Sequence, residues 1–289
     1  MADKKEIDEV TGVETTGHEW DGIKELNKPL PKWWLYVMYT TIVWSFGYWV
    51  AYPAWPMISG YTEGLLGFSQ RERVAEQIAL AREAQSALNT KIRESSFEDI
   101  KADPELLQYA IAGGRAAFGD NCSGCHGRGA QGFTGFPNLN DDEWIWGGTI
   151  DAIHHTIQHG IRNGGAEARD SQMPRFGLDG ILQETEISDT AEFVLSLSGQ
   201  KHDAAAAERG AELYANNCAS CHGEKGEGNP DLGAPALNNN IWLYGGSKDD
   251  IVKSIVTGRG GVMPGWTERL EEETIKKLAV YVHSLGGGQ

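Results

Sequence analysis

The sequence predicts a mainly α protein, with one N-terminal transmembrane helix followed by two small tandem helical domains. Three observations carry this expectation. The stretch from Trp33 to Thr62 contains no Asp, Glu, Lys or Arg. The motifs Cys122-Ser-Gly-Cys125-His126 and Cys218-Ala-Ser-Cys221-His222 use all 4 cysteines of the 289 residues. The sequence around the first motif recurs around the second. Hydrophobic residues make up 40% of the chain, below the ~45–50% of ordinary globular proteins, so a core of side chains alone is thin. A formal charge of −16 excludes an ordinary nucleic-acid binder, which needs a basic face to displace counterions from phosphates.

At the front, residues 1–32 form a polar segment with Lys4, Lys5, Lys24, Lys28 and Lys32. The apolar part that follows, Trp33 to Trp55, spans ~34 Å as a helix at ~1.5 Å per residue, enough for a hydrocarbon core of ~30 Å. Trp33, Trp34 and Tyr36 crowd one end and Tyr48, Trp49, Tyr52 and Trp55 the other, as interfacial belts do. Pro53 and Pro56 end the helix. The polar lead is too long for the n-region of a signal peptide and no A-x-A site follows, so residues 33–56 read as an uncleaved anchor. The first basic residues after it are Arg71 and Arg73, and the lysine excess before it orients the N-terminus inwards.

Residues 57–107 read as a helical linker. Ser69-Gln-Arg-Glu72 is a capping-box pattern opening a charged helix to about Arg93, and Asp103-Pro104 starts a second, short helix at N-cap and N1. Gly64 and Gly67 allow a hinge before the charged helix.

The pattern C-x-x-C-H is the attachment motif of a c-type haem. Two thiols three residues apart form thioethers with the two vinyl groups on one porphyrin edge, and the next residue offers its imidazole to the iron. A structural zinc site would set its C-x-x-C pairs ~15–20 residues apart, far closer than Cys125 and Cys218, and a thioredoxin-like pair would need a βαβ context. The expectation is two covalently bound haem c groups, on Cys122 and Cys125 and on Cys218 and Cys221, with His126 and His222 as iron ligands.

Of 5 methionines, Met1 starts the chain and Met38 and Met57 lie in or beside the apolar segment. The other two, Met173 and Met263, each follow a haem motif and each precede a proline, Pro174 or Pro264. A thioether is a soft ligand that raises the reduction potential, which suits an electron carrier. Met173 and Met263 are the expected sixth ligands.

The repeat extends further. Gly114, Phe118 and Asn121 correspond to Gly210, Tyr214 and Asn217, and Trp144, Gly147 and Gly148 to Trp242, Gly245 and Gly246. Phe193–Leu197 matches Tyr281–Leu285. The units are residues 108–200 and 205–289, with an extra exposed loop from Asn163 to Gln172 in the first. Each has a helix running into its first Cys, a middle helix with isoleucines four apart (Ile153, Ile157 and Ile161; Ile251 and Ile255) and a closing helix (Glu186–Leu197; Glu271–Leu285). His154, His155 and His159 have Val252, Lys253 and Thr257 as counterparts, so a helix-face role suits them.

Helix, C-x-x-C-H, loop, helix, Met loop and helix together resemble the class I cytochrome c fold over residues 108–289. The segment Thr16-Gly-His-Glu-Trp20 to Trp34, and the aromatic span ending Tyr52-Pro-Ala-Trp-Pro56, resemble the N-terminus of the dihaem subunit III of cbb3-type cytochrome c oxidase, the CcoP/FixP family. With the haem motifs and the Met-Pro pairs, that resemblance covers essentially the whole chain. It implies an electron-transfer subunit, with no catalytic residues of its own, in a bacterial inner membrane. Its haem domains would be periplasmic, where haem is attached to such motifs. It implies that donor cytochromes c reduce this subunit and that a monohaem cytochrome c subunit passes the electrons on to an oxygen-reducing haem–copper subunit. Other readings are a stand-alone membrane-bound dihaem shuttle for a dehydrogenase or nitrogen-oxide reductase, and a dihaem peroxidase. Spacing alone allows each Met to serve either the haem of its own repeat or that of the other.

Most of the −16 charge lies beyond residue 32. A basic donor is therefore expected to dock, and its second-order rate of reducing this chain is expected to fall as salt rises from about 10 to about 200 mM. Stopped-flow reduction at several ionic strengths measures this; a rate that ignores salt would assign the charge to solubility alone.

Overall fold

The computed structural model describes residues 6–286. The chain divides into two units, Met1–Arg82 and Glu83–Gln289.

In the first unit, Thr15–Trp20 (β1) and Ile23–Leu26 (β2) pair antiparallel. Asp21 and Gly22, at φ 51° and 83°, make the two-residue turn, and Asp-Gly suits a turn that needs both residues at positive φ. Helix α1 then runs Lys32–Ala51 with no buried side chain. Its hydroxyls turn back on their own backbone: Thr40 Oγ1 donates to the Tyr36 carbonyl and Ser45 Oγ to that of Thr41, each at 2.8 Å. Its Trp, Tyr, Thr and Ser residues hold its mean hydropathy down, and among the described residues no helix is long and apolar enough to cross a membrane. The helix is also shorter than the expected 33–56. It ends at Ala51, and Pro56–Met57 (β3) pairs instead with Gly60–Tyr61 (β4).

Gly64 packs against the C-terminal end of α1. At φ 76° its Cα lies so close to α1 that a Cβ would meet the Ala51 carbonyl oxygen at 2.5 Å. Leu65 and Leu66 donate their amides to the Val50 and Ala51 carbonyls (2.9 and 3.0 Å), satisfying acceptors that a helix end leaves open.

Helix α2, Gln70–Glu94, begins in the first unit and ends in the second with Ile92 fully buried. Two capped helices follow. Ser96 caps α3 (Phe97–Ala102), and Asp103 caps α4 (Pro104–Asn121) by accepting the Glu105 and Leu106 amides at 3.0 and 3.2 Å. The short helix expected at Asp103-Pro104 and the helix expected to enter Cys122 are therefore one element. The boundary between residues 107 and 108 falls inside it.

The remaining elements are α5 (Ser123–His126), α6 (Ile150–His159), α7 (Glu184–Leu197), α8 (Ala204–Asn217), α9 (Ala219–His222), α10 (Lys248–Thr257) and α11 (Glu272–His283). They pack into two cores, and the closing helices are exchanged between the repeats. Helix α11 packs on α4 and α6, placing Ile275, Leu278 and Val282 against Phe118, Ile153 and Ile157. Helix α7 packs on α8 and α10, placing Ile187, Ala191 and Val194 against Tyr214, Ile251 and Ile255. Each buried side chain of this size contributes on the order of 1.5–3 kcal/mol. Segments 108–200 and 205–289 are thus repeats in sequence but not two separately packed bodies. The expectation that each closing helix covers its own repeat is corrected, and the glycines explain why.

A Cβ on Gly114 would lie 2.2 Å from the Lys277 carbonyl oxygen, and one on Gly210 2.1 Å from that of Asp189. At both crossings two helix backbones touch, which no residue with a side chain permits. Aromatic pairs flank them, Phe118 with Tyr281 (centroids 5.5 Å apart) and Tyr214 with Phe193 (5.0 Å). Across the second crossing, Arg209 Nε and Nη2 donate to Asp189 Oδ2 and Oδ1 at 2.7 and 2.6 Å.

Gly210→Ala is therefore expected to destabilise the chain by about 3 kcal/mol, the upper end for overpacking. Gly119→Ala, in α4 with nothing near its Cβ position, should stabilise by about 0.5–1 kcal/mol. Thermal unfolding of the two variants measures the contrast. The Arg209 guanidinium also holds the Asp189 carboxyl below its ordinary value. A lowered folded value gives stability that is present above the unfolded pKa of ~3.9 and is lost as pH falls through the folded value. Arg209→Gln should remove that part of the acid limb in a pH series of unfolding midpoints and leave the neutral region almost unchanged.

Candidate functional site

Each C-x-x-C-H motif is a short helical turn set on the end of a longer helix. Cys122 closes α4, and α5 carries Cys125 and His126; Cys218 closes α8, and α9 carries Cys221 and His222. Gly127 and Gly223, both at φ 80°, reverse the chain after the histidines. Cys122 is half-buried and Cys218 buried, while Cys125 and Cys221 are exposed. No two of these cysteines are disulfide-bonded to one another.

The imidazoles are fixed from behind. His126 Nδ1 is 3.0 Å from the Pro137 carbonyl oxygen and His222 Nδ1 is 2.9 Å from that of Pro235. A carbonyl accepts only, so each Nδ1 carries the proton and each Nε2 lone pair is free for a metal. Burial lowers both histidine pKa values, against the pull of the proline carbonyls, and favours the neutral ligand form. Burial, with a neighbouring cysteine, pushes the Cys122 and Cys218 thiols up to about 11. That is opposite to the lowered thiol of a disulfide oxidoreductase.

Each motif opens on a cleft walled by apolar side chains. The first, of ≈ 490 Å³, is lined by Cys122, Cys125 and His126, with Phe118, Ile153 and Ile157, and by Met263, Leu278 and Val282 from the far end of the chain. The second, of ≈ 190 Å³, is lined by Cys218, Cys221 and His222, with Tyr214, Ile251 and Ile255, and by Met173, Phe176 and Val194 from the first repeat. The structure therefore brings Met263 to the first motif and Met173 to the second.

The exchange is held by matched backbone contacts. Met263 N donates to the Ile161 carbonyl at 3.0 Å, and Ile161 N to that of Met263 at 2.9 Å. In the other half Met173 N donates to the carbonyl of Arg259, the repeat counterpart of Ile161, at 2.9 Å. A Cβ on Gly160 would lie 2.4 Å from the Met263 oxygen and one on Gly258 2.5 Å from the Met173 oxygen. Ile161 thus lies past the end of α6 and serves the Met loop by its backbone, rather than continuing the helical isoleucine stripe.

The donor set and the cradle fit a covalently held haem. An imidazole with a free Nε2 and a thioether face one apolar cleft, and two thiols stand one helical turn apart at its mouth. The glycines pack the ring-bearing loops: a Cβ on Gly148 would sit 2.6 Å from Trp144 and one on Gly246 2.5 Å from Trp242. Among the described residues no three His, Cys, Asp or Glu side chains gather in another metal-holding cluster.

Several lining residues carried no signal in the sequence. Ile145, Arg162, Leu243, Tyr244 and Gly261 line both clefts, which therefore share a wall. Ile145 and Leu243 are repeat counterparts, as are Trp146 and Tyr244. Trp146 is buried, and a Cβ on Gly233 would lie 2.1 Å from its ring. The loop from Asn163 to Gln172 is exposed at its tip, and it turns Arg169 inwards over Trp146 at 5.3 Å. His154 is half-buried against the Phe97 ring at 5.2 Å, and His155 packs on His159 at 4.7 Å; none of the three lines either cleft.

Three family descriptions match this sequence. Residues 12–59 match the N-terminal domain of cytochrome oxidase-cbb3, FixP; residues 111–198 match cytochrome c; residues 205–282 match cytochrome c oxidase, cbb3-type, subunit III. The chain is 55% identical over 284 residues to the Cbb3-type cytochrome c oxidase subunit FixP of Azorhizobium caulinodans, covering 98% of this chain and 96% of that one. It is 53% identical over 293 residues to the subunit CcoP of Azospirillum brasilense, covering 99% of each. It is 52% identical over 276 residues to the CcoP of Cereibacter sphaeroides, covering 95% of each.

Proposed function

The chain belongs to the FixP/CcoP family of cbb3-type cytochrome c oxidase subunits and is an electron-transfer subunit of that oxidase, and on that premise we propose that it holds two haem c groups side by side as a relay. A haem c in each cleft supplies a one-electron ferric–ferrous couple. One observation carries the reading: two clefts of matching chemistry share a wall of five residues.

In this reading Cys122 and Cys125 fix the first haem and Cys218 and Cys221 the second, each by thioethers. His126 and Met263 would hold the first haem iron, and His222 and Met173 the second. The proline carbonyls hold the imidazoles in one tautomer and orientation, so neither ligand has to reorganise on electron transfer. The apolar walls exclude water and favour the less charged ferrous form, as the thioethers do. With an imidazole and a thioether both holding each iron, no position would be left for peroxide, and the chain would act as a carrier with no catalytic residues of its own.

Residues 33–56, of which α1 supplies the helix as far as Ala51, would anchor the chain in a bacterial inner membrane although α1 falls short of the length and apolarity of an ordinary span, with residues 1–32 cytoplasmic and the linker 57–107 and both haem repeats periplasmic. The absence of charge, the aromatic ends and the internally bonded hydroxyls of α1 support this. The partners would be a donor cytochrome c, a monohaem cytochrome c subunit and the haem–copper subunit. A stand-alone shuttle has less support, because the full-length relatives are named as oxidase subunits.

The ligand exchange is tested in a chain carrying Cys218→Ser and Cys221→Ser, which retains only the first attachment site. There Met263→Ala is expected to abolish the thioether–iron absorption band. It should also lower the potential by more than about 59 mV, a tenfold change for one electron, whereas Met173→Ala leaves both unchanged. The opposite pattern would give each methionine to its own repeat.

A further inference from the structure

Arg162 stands out in a strongly acidic chain. It is half-buried, yet among the described residues it forms no ion pair. Its Nε donates to the Gly261 carbonyl at 2.7 Å, and its Nη1 to the Ser171 carbonyl. Gly261 belongs to the loop of Met263 and Ser171 to the loop of Met173, so one guanidinium ties both Met loops together. It lies over the Trp146 ring at 5.9 Å and belongs to the wall shared by the two clefts. Of the five N–H groups of a guanidinium, three are left over.

The repeat makes this more specific. The position corresponding to Arg162 in the second repeat is Gly260, which has no side chain. The preceding residue, Arg259, lines only the second cleft, with Nε on Ser254 Oγ at 3.0 Å and its guanidinium 4.3 Å from the Tyr244 ring centroid. Arg259 too forms no ion pair among the described residues. A half-buried cation without a counter-charge is costly, and a planar fork with spare donors suits a carboxylate. Asp170 lies near enough to act on Arg162 through space but does not pair with it.

We infer that Arg162 is a shared carboxylate-binding residue, whose free N–H groups receive a propionate from the haem in each cleft, while Arg259 receives one from the second haem alone. This rests on the two-haem reading above. Placed so, Arg162 is a positive charge on the wall of both clefts, which would favour the reduced form of a haem in each, and it links the two Met loops mechanically.

The test is a redox titration of the full-length holo-chain in detergent, with haem content measured first. Fewer than two haems per chain would overturn the two-haem reading itself. With two haems present, Arg162→Gln is expected to shift both oxidation equilibria about three- to tenfold towards ferric, which lowers both potentials by about 30–60 mV at 59 mV per decade. Arg259→Gln should lower only one. A shift confined to one haem in Arg162→Gln, or none, would overturn the inference. Should Arg162→Gln fail to accumulate, the unaltered holo-chain serves. Its Arg162 Nε–H resonance, assigned through bonds to the rest of its own side chain, is expected to move at both reduction steps, and movement at one step only would contradict sharing.

Discussion

Two backbone contacts organise the haem-bearing unit. Where α11 crosses α4 and where α7 crosses α8, a helix backbone rests on a glycine, Gly114 or Gly210, at a distance that leaves no room for a Cβ. The crossings are what let the closing helix of each repeat lie across the entry helix of the other. Once they lie there, the loops preceding them must deliver Met263 to the first motif and Met173 to the second. Gly160 and Gly258 then give the arriving Met carbonyls the space they need. The exchange is one device used twice, and each half of the site is completed by the other half of the sequence.

This has consequences for both stability and electron transfer. Neither repeat buries its own middle helix: Ile153 and Ile157 need Leu278 and Val282, while Ile251 and Ile255 need Ile187 and Val194. Folding of the two repeats is therefore one event, with buried apolar area drawn from residues about 125 positions apart in one core and about 60 in the other. The same interleaving brings the clefts into contact, and Ile145 and Leu243, counterparts in the repeat, meet in the common wall. The proposed relay would gain from this, because redox centres in two clefts with a shared wall would lie side by side.

The chemistry was more legible in the sequence than the architecture. C-x-x-C-H fixes thiols and imidazole by local spacing alone, and the paired Met-Pro steps single out the two methionines that line the clefts. The helices followed from capping and isoleucine spacing, although Asp103-Pro104 opened a longer helix than expected because nothing breaks the turn through Gly113 and Gly114. What spacing could not decide was which Met meets which motif, since that depends on packing between distant helices. The matched Gly114 and Gly210 were visible as a repeat, but their role requires the partner backbone to be known. The Asp21-Gly22 hairpin was signalled locally and overshadowed by the apolar segment beside it. Arg162 had no signal, because its meaning comes from lacking both a repeat counterpart and an anion.

The central claim, that the two repeats complete each other, is tested most directly by cutting between them. A protease site placed at the exposed connector around Lys201 separates α7 from α8 in the chain without touching either core. The nicked holo-protein is expected to stay together under native conditions, with both haem spectra unchanged, and to separate only on denaturation. Two fragments that part under native conditions, each keeping an intact His/Met haem, would contradict it.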